Sequence, residues 1–208
     1  MNRVLVPAVR VERWFANFET RHGAATYTVA DGGLLAVAED GATGRAVLPL
    51  DRAYAGAPEP SALAAAALAP HRWGVLLVRK GGFAVARLAG DDLVEHKVGQ
   101  RHVQGRSKAG GQSQQRFARR RDNQAQAAYD AAAGHAARVL GPPHRLHALV
   151  TGGDRTAVEA VLEDVRLAGA RDLVVSRWLP VPDPRRAVLD QAVVDALSVE
   201  VTVGDGPS

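Results

Sequence analysis

One glutamine, Gln112, follows two glycines, Gly110 and Gly111, inside the run R-S-K-A-G-G-Q-S-Q-Q-R-F-A-R-R-R that spans residues 106 to 121. Glutamine is neither acid nor base near neutral pH, so chemistry at this position rests on hydrogen bonding and on placing a reactant. Glycines without Cβ atoms let a loop tip press closely into a crowded partner. A Gly-Gly-Gln tripeptide arises by chance in roughly one chain in twelve of this composition, so its surroundings must decide its meaning.

Those surroundings are unusual in charge. Residues 96 to 121 hold eight Lys or Arg (Lys97, Arg101, Arg106, Lys108, Arg116, Arg119, Arg120 and Arg121) and no Asp or Glu. The whole chain carries +4, so the remainder is at −4 by subtraction. A concentrated basic patch is the footprint expected for a polyphosphate partner, although a solvated basic loop would show the same charge run. Seven of the eight glutamines lie between Gln100 and Gln126. Neutral amides contact bases, riboses and water without repelling phosphate, as a carboxylate would.

The elements that must position this loop are legible on either side of it. Three strand candidates, 74–79, 83–88 and 93–98, are joined by short Gly-containing turns and form an antiparallel meander. Residues 99–112 lack apolar periodicity and are expected to form an exposed loop. A long helix is expected from Ser113, a candidate cap, to Leu140, where Gly141-Pro142-Pro143 stops it. Its first turns carry Arg116, Arg119, Arg120 and Arg121, against a helix dipole that prefers acids there by about 0.3 to 1 kcal/mol per residue. A bound polyanion would reverse that penalty, whereas arginines pointing into solvent would be screened.

Beyond the helix, a strand over 145–150 ends at Thr151-Gly152-Gly153-Asp154. Thr156 with Glu159 fits a capping box for a helix reaching about Leu167. A strand at 172–176, a Pro-rich linker, a helix near 185–197 and a final strand at 198–203 complete the pattern. The fold class is α/β (α+β): a mixed sheet containing the meander, flanked by helices, over 71–208, with a small N-terminal α+β unit over 1–70. In that unit a helix is expected over 14–21, a hairpin at Asp31-Gly32-Gly33, and a helix over 62–68 capped by Ser61.

The segment G-G-Q-S-Q-Q-R-F-A-R-R-R resembles the catalytic loop and following helix of eukaryotic- and archaeal-type peptide-chain release factors. The order of elements over about 71–205 is similar to their central, ribonuclease H-like domain. The first seventy residues hold no Asn-Ile-Lys-Ser decoding motif, and the chain has no room for the decoding and GTPase-binding domains, so a stop-codon decoder is not expected. The resemblance is therefore to the VLRF family, of actinobacterial type: release-factor-like peptidyl-tRNA hydrolases that free nascent chains from stalled ribosomes or split large subunits.

That resemblance implies that Gln112 enters the peptidyl transferase centre, with its backbone N–H facing the developing charge and its side chain placing water. It implies that Gly110 and Gly111 permit the backbone, and that Gln114 and Gln115 are alternative catalytic glutamines, since relatives vary the spacing. Arg106, Lys108, Ser113, Arg116, Arg119 and Arg120 would meet RNA. The implied partners are the large ribosomal subunit with its 23S-type rRNA and peptidyl-tRNA, not DNA or a membrane. A different class of reading is a non-catalytic ribosome or RNA binder that docks through the same basic loop.

Other features carry less. With no cysteine, the chain forms neither disulfides nor thiolate zinc sites. His144 and His147 lack a third ligand nearby in sequence, so no metal is expected, and no cofactor. The turn Thr151–Asp154 lacks the length and the lysine of a P-loop. Trp14, Trp73 and Trp178 are read as packing residues. No signal-peptide core or spanning segment is evident, and a cytoplasmic location is expected.

Overall fold

The structure, a computed structural model, describes residues 2–100 and 113–204, with the side chains of 113–125 and 143 outside that description. In chain order, the first elements are β1 (Asn2–Val6), α1 (Val11–His22), β2 (Ala25–Ala30), β3 (Gly33–Ala38), β4 (Thr43–Val47) and α2 (Pro60–Leu68). The meander follows as β5 (Arg72–Arg79), β6 (Gly82–Ala89) and β7 (Asp92–Gln100), and then α3 (Ser113–Leu140) and β8 (Ala148–Gly153). The chain ends in α4 (Arg155–Leu162), α5 (Ala168–Arg171), β9 (Val174–Leu179), α6 (Arg186–Leu197) and β10 (Val199–Gly204).

Two compact units result, one of residues 1–70 with 193–208 and one of residues 71–192. The first contains an antiparallel sheet of order β1-β10-β4-β3-β2. α1 turns Val11, Phe15 and Phe18 inward at helical spacing, onto Leu34, Ala46 and Val201. Trp14 stacks on Phe18 at 5.7 Å and meets Phe15 edge-on at 5.0 Å. Glu59, with no side-chain cap bond, is the N-cap of α2, and Pro60 sits in its first turn. The expected Ser61 cap is thus corrected: Pro60 lacks an N–H, which suits the first helical position, and the helix starts earlier than the serine.

The last strand also departs from expectation. A division at residue 70 assigns β10 to the second unit, yet β10 pairs with β1 on one side and β4 on the other, inside the first sheet between its edge strand and its middle strand. Its Val199 and Val201 are fully buried and alternate with half-buried Glu200 and Thr202. As an interior strand it has its backbone groups paired on both edges, with β1 and β4.

The second unit is a mixed sheet of order β7-β6-β5-β8-β9, antiparallel through the meander and parallel from β5 to β9. One face packs Leu76, Val78, Phe83 and Val85 against Ala132, Ala136, Val139 and Leu140 of α3 and Val158 and Val161 of α4. Arg87 joins the layers, donating from Nε to the Val139 carbonyl at 3.1 Å while its Nη2 meets Glu95 at 3.3 Å. Gly152 is required where β8 meets β9, since a Cβ there would lie 2.3 Å from the Leu179 carbonyl oxygen.

Four local expectations shift in this unit. The strand expected over 145–150 is β8, Ala148–Gly153, three residues later and running through the Gly-rich turn, with a 3-10 turn over Pro143–Arg145 before it. α4 is capped by Asp154, which accepts from the Ala157 N–H at 3.3 Å, instead of by a Thr156/Glu159 box. The helix ends at Leu162, and a 3-10 turn (Val165–Leu167) and α5 follow it. β9 lies two to three residues later than expected, because its register is set by pairing with β8.

If β10 is an interior strand of the first sheet, Val201→Ala should lower the unfolding free energy by about 1.5 to 3 kcal/mol. Thr202→Ala, on the half-buried face, should cost a fraction of that. Urea unfolding of both variants checks the contrast, and equal small losses would contradict the interior placement.

Candidate functional site

The loop is held between two elements. β7 brings the chain to Gln100 at the end of the meander, and α3 receives it at Ser113. The side chains of α3 are described from Gln126 onward, and among them Tyr129 packs against the core while Ala132, Ala133, Ala136, Val139 and Leu140 are buried in it. Ser113 lies sixteen residues before Tyr129, about 24 Å along the helix axis.

Gly110, Gly111, Gln112, Arg106 and Lys108 lie outside the described residues. Ser113 is the first residue of α3, and Gln114, Gln115, Arg116, Arg119 and Arg120 belong to its opening turns. Positions 116, 119 and 120 fall on one side of the helix by their spacing. No acid occupies its first turn. A helix N-terminus already carries partial positive charge, so the backbone and these arginine positions together favour an anion.

At the root of the loop is a feature the sequence reading missed. A cavity of about 260 Å³ opens between α3, the β5–β6 turn and the end of β7. Its buried lining includes Val78, Phe83 and Ala132, and Tyr129 and Gln100 also line it. On the helix side it is bounded by alanines 127, 128, 131 and 132, whose small side chains leave the space unfilled. Gly99 is fitted to Phe83, since a Cβ would lie 2.3 Å from the ring. The run of alanines was the available signal, but it reads as helix propensity until a sheet stands opposite it.

Arg79 and Lys80 also line this cavity. Arg79 is anchored by Nη1 donating to the Val181 carbonyl at 2.9 Å and by Asp183 at 3.5 Å. Lys80 is exposed. Behind Phe83, His135 stacks on the ring at 5.4 Å and 22°. Burial lowers the His135 pKa, and the charges of Arg138 and then Lys97 lower it further. Its Nδ1 accepts from Arg138 at 3.4 Å, which requires that nitrogen to be unprotonated.

The remaining features are structural where they are described. Among the described residues, no group of three or more His, Cys, Asp or Glu could hold a metal. Trp73 is fully buried and donates from Nε1 to the Gly90 carbonyl at 2.8 Å, while Arg155 lies 4.5 Å over the ring of Trp178. Asp154, in the Gly-rich turn, is used as the α4 cap. Among the described residues no helix is long and apolar enough to cross a membrane.

Comparison with known proteins adds a family. The model for the Actinobacteria/chloroflexi VLRF1 release factor matches residues 71–202. No curated protein sequence matches the chain. Among solved structures, the chain is similar to the archaeal translation termination factor aRF1, at 14% identity and a TM-score of 0.41, over 60% of this chain and 34% of that one. It is also similar to the Vms1 mitochondrial localization core, at 12% identity and a TM-score of 0.40, over 97% of this chain and 82% of that one. The chain thus spans about a third of the archaeal factor's length.

The His135 environment predicts a pH dependence. The unfolded chain takes up a proton on this ring more readily than the folded one, so stability is fully present above the ordinary value of 6.5 and is lost as pH falls through the lowered folded value. Between about pH 7.5 and about pH 5, wild type should lose more unfolding free energy than His135→Gln. Parallel pH profiles for the two proteins would contradict this assignment.

Proposed function

The chain belongs to the VLRF1 release factor family of Actinobacteria and Chloroflexi, and from that premise we propose that it is a peptidyl-tRNA hydrolase that releases nascent chains from stalled ribosomes or split large subunits. The observation that carries this reading is the position of Gly110-Gly111-Gln112 directly before α3, inside the matched residues, with an acid-free basic run around it. The long α3 gives the motif reach, and its arginine-bearing start gives it affinity for phosphate.

The reaction is the hydrolysis of the ester between peptide and tRNA. Water attacks the ester carbonyl carbon, the carbonyl oxygen gains negative charge, and the bond between that carbon and the ribose oxygen breaks; one water proton passes to the ribose oxygen to give the tRNA hydroxyl, and the second is released to solvent as the peptide leaves as a carboxylate. The Gln112 backbone N–H faces the developing oxyanion, and its side-chain amide orients the water. Gly110 and Gly111 let the backbone fit that position, with Gln114 and Gln115 as the alternative glutamines. A glutamine supplies no proton, so RNA groups of the peptidyl transferase centre complete the site. Arg106, Lys108, Ser113, Arg116, Arg119 and Arg120 contact ribosomal RNA or the tRNA acceptor end, giving salt-dependent affinity without sequence choice. No cofactor takes part, and the reaction takes place in the cytoplasm.

The test is peptide release from stalled ribosome–nascent-chain complexes and from isolated large subunits. Gln112→Ala should slow release by at least about 100-fold while subunit binding is retained, as expected for loss of a positioning group. Undiminished release by the variant would exclude Gln112 as the catalytic residue, and the same assay on Gln114→Ala and Gln115→Ala would locate the active one. Absence of release by wild type, with binding intact, would favour a docking protein instead. Replacing Arg116, Arg119 or Arg120 by Ala should reduce the slope of log affinity against log salt by about one each.

A further inference from the structure

The cavity at the root of the loop has no part in the chemistry above. From its lining we propose that it binds a single unstacked nucleotide of RNA, with the base on the apolar floor and the phosphate at Arg79 and Lys80. That the strand is ribosomal or transfer RNA rests on the functional reading just given; that the cavity takes a nucleotide does not.

Four observations carry the proposal. The volume, about 260 Å³, lies just under the roughly 300 Å³ at which sites for drug-sized ligands begin, and so suits one ring system with its sugar outside. The floor of Val78, Phe83 and Ala132 is buried and apolar, which favours a planar base over a hydrated group. Tyr129 and Gln100 are among the lining residues, and their hydroxyl and amide are groups able to donate and accept as a base edge requires. Burial, with Asp154 adding to it, raises the Tyr129 pKa, so the phenol remains a neutral donor.

The rim supplies the fourth. Among the described residues, Arg79 and Lys80 line the cavity and no carboxylate does. Asp183 meets Arg79 from outside the lining and Asp154 acts on Tyr129, while the exposed Lys80 has no ion pair among the described residues and leaves a positive charge at the rim. An aromatic side chain from a protein partner would satisfy the floor but leave that charge unanswered, whereas a nucleotide satisfies both. Gln100 then leads straight into Arg101 and the rest of the basic run.

The experiment uses the full chain labelled with nitrogen-15, titrated with adenosine 5′-monophosphate, with adenosine and inorganic phosphate as separate arms. The mononucleotide should shift the amides of Gly82, Gly99, Gln100 and Ala128 saturably, and each fragment alone should bind more weakly. Lys80→Ala should weaken mononucleotide binding by about tenfold, the loss expected for one charge-assisted contact. Ala128→Leu, which fills the cavity, should abolish the shifts; if it fails to fold, exposed Lys80 still decides the question. Absence of shifts at these amides, or binding unchanged in Lys80→Ala, overturns the proposal. So does a short Phe-containing peptide that shifts these amides when the mononucleotide does not. The two readings fail separately: normal release by Gln112→Ala sinks the hydrolytic one and leaves the cavity, while undiminished mononucleotide binding by Lys80→Ala sinks the cavity and leaves hydrolysis.

Discussion

The functional end of this protein depends on the close seat of the second half of α3 on the β5–β7 meander. Ala132, Ala133 and Ala136 are almost wholly buried there, and Val139 and Leu140 complete the contact. Alanine suits the place because it favours helix and brings the axis near the sheet without the strain of a larger side chain. Arg87 adds a directional bond to the Val139 carbonyl, at the end of the helix where backbone acceptors lack intrahelical partners. With its C-terminal half fixed in this way, the helix transmits a defined direction along its remaining length to Ser113.

The same small side chains have a second effect. Beside the β5–β6 turn and the end of β7, the small side chains of alanines 127, 128, 131 and 132 leave space open, and the cavity beside Phe83 and Tyr129 remains. Its glycine neighbours are constrained by packing: Gly82 opposes Gln100 and Gly99 opposes Phe83, and a Cβ on Gly82 would lie 2.4 Å from the Gly99 carbonyl oxygen. Tight backbone pairing at the end of β6 and β7 and open space beside it are two results of one local choice of small residues. In the first unit the core is instead filled by large side chains, among them Phe15, Phe18, Leu34 and Leu63.

Much of this was legible in the chain. The meander and the long helix from Ser113 to Leu140 have strong local signals: apolar runs broken by Gly turns, and a helix stopped by Gly141-Pro142-Pro143, while β8 was legible only as a strand near 145–150 and not by its bounds. The basic, acid-free segment around Gln112 could be read because charge and residue type need no coordinates. Less legible were elements whose identity depends on a distant partner. β1 and β4 are short, and their pairing with β10 joins the two ends of the chain. The cap of α4 was misread because several polar residues crowd the turn, and only backbone geometry selects Asp154 over Thr156.

The sequence by itself determined the chemistry offered: a glutamine behind two glycines, cations without nearby acids, and a helix to carry them. Those are properties of residue types and short spacings, which survive without a fold. Only the tertiary structure decided that β10 closes the first sheet, that α3 packs through Ala132, Ala136 and Leu140, and that Arg79, Lys80, Gln100 and Tyr129 surround one cavity. Such groupings bring together residues as far apart as Lys80 and Tyr129, or Val4 and Val201. Strand register and helix seating are set by burial and backbone pairing across the whole chain, and no local pattern encodes which distant surface will satisfy them.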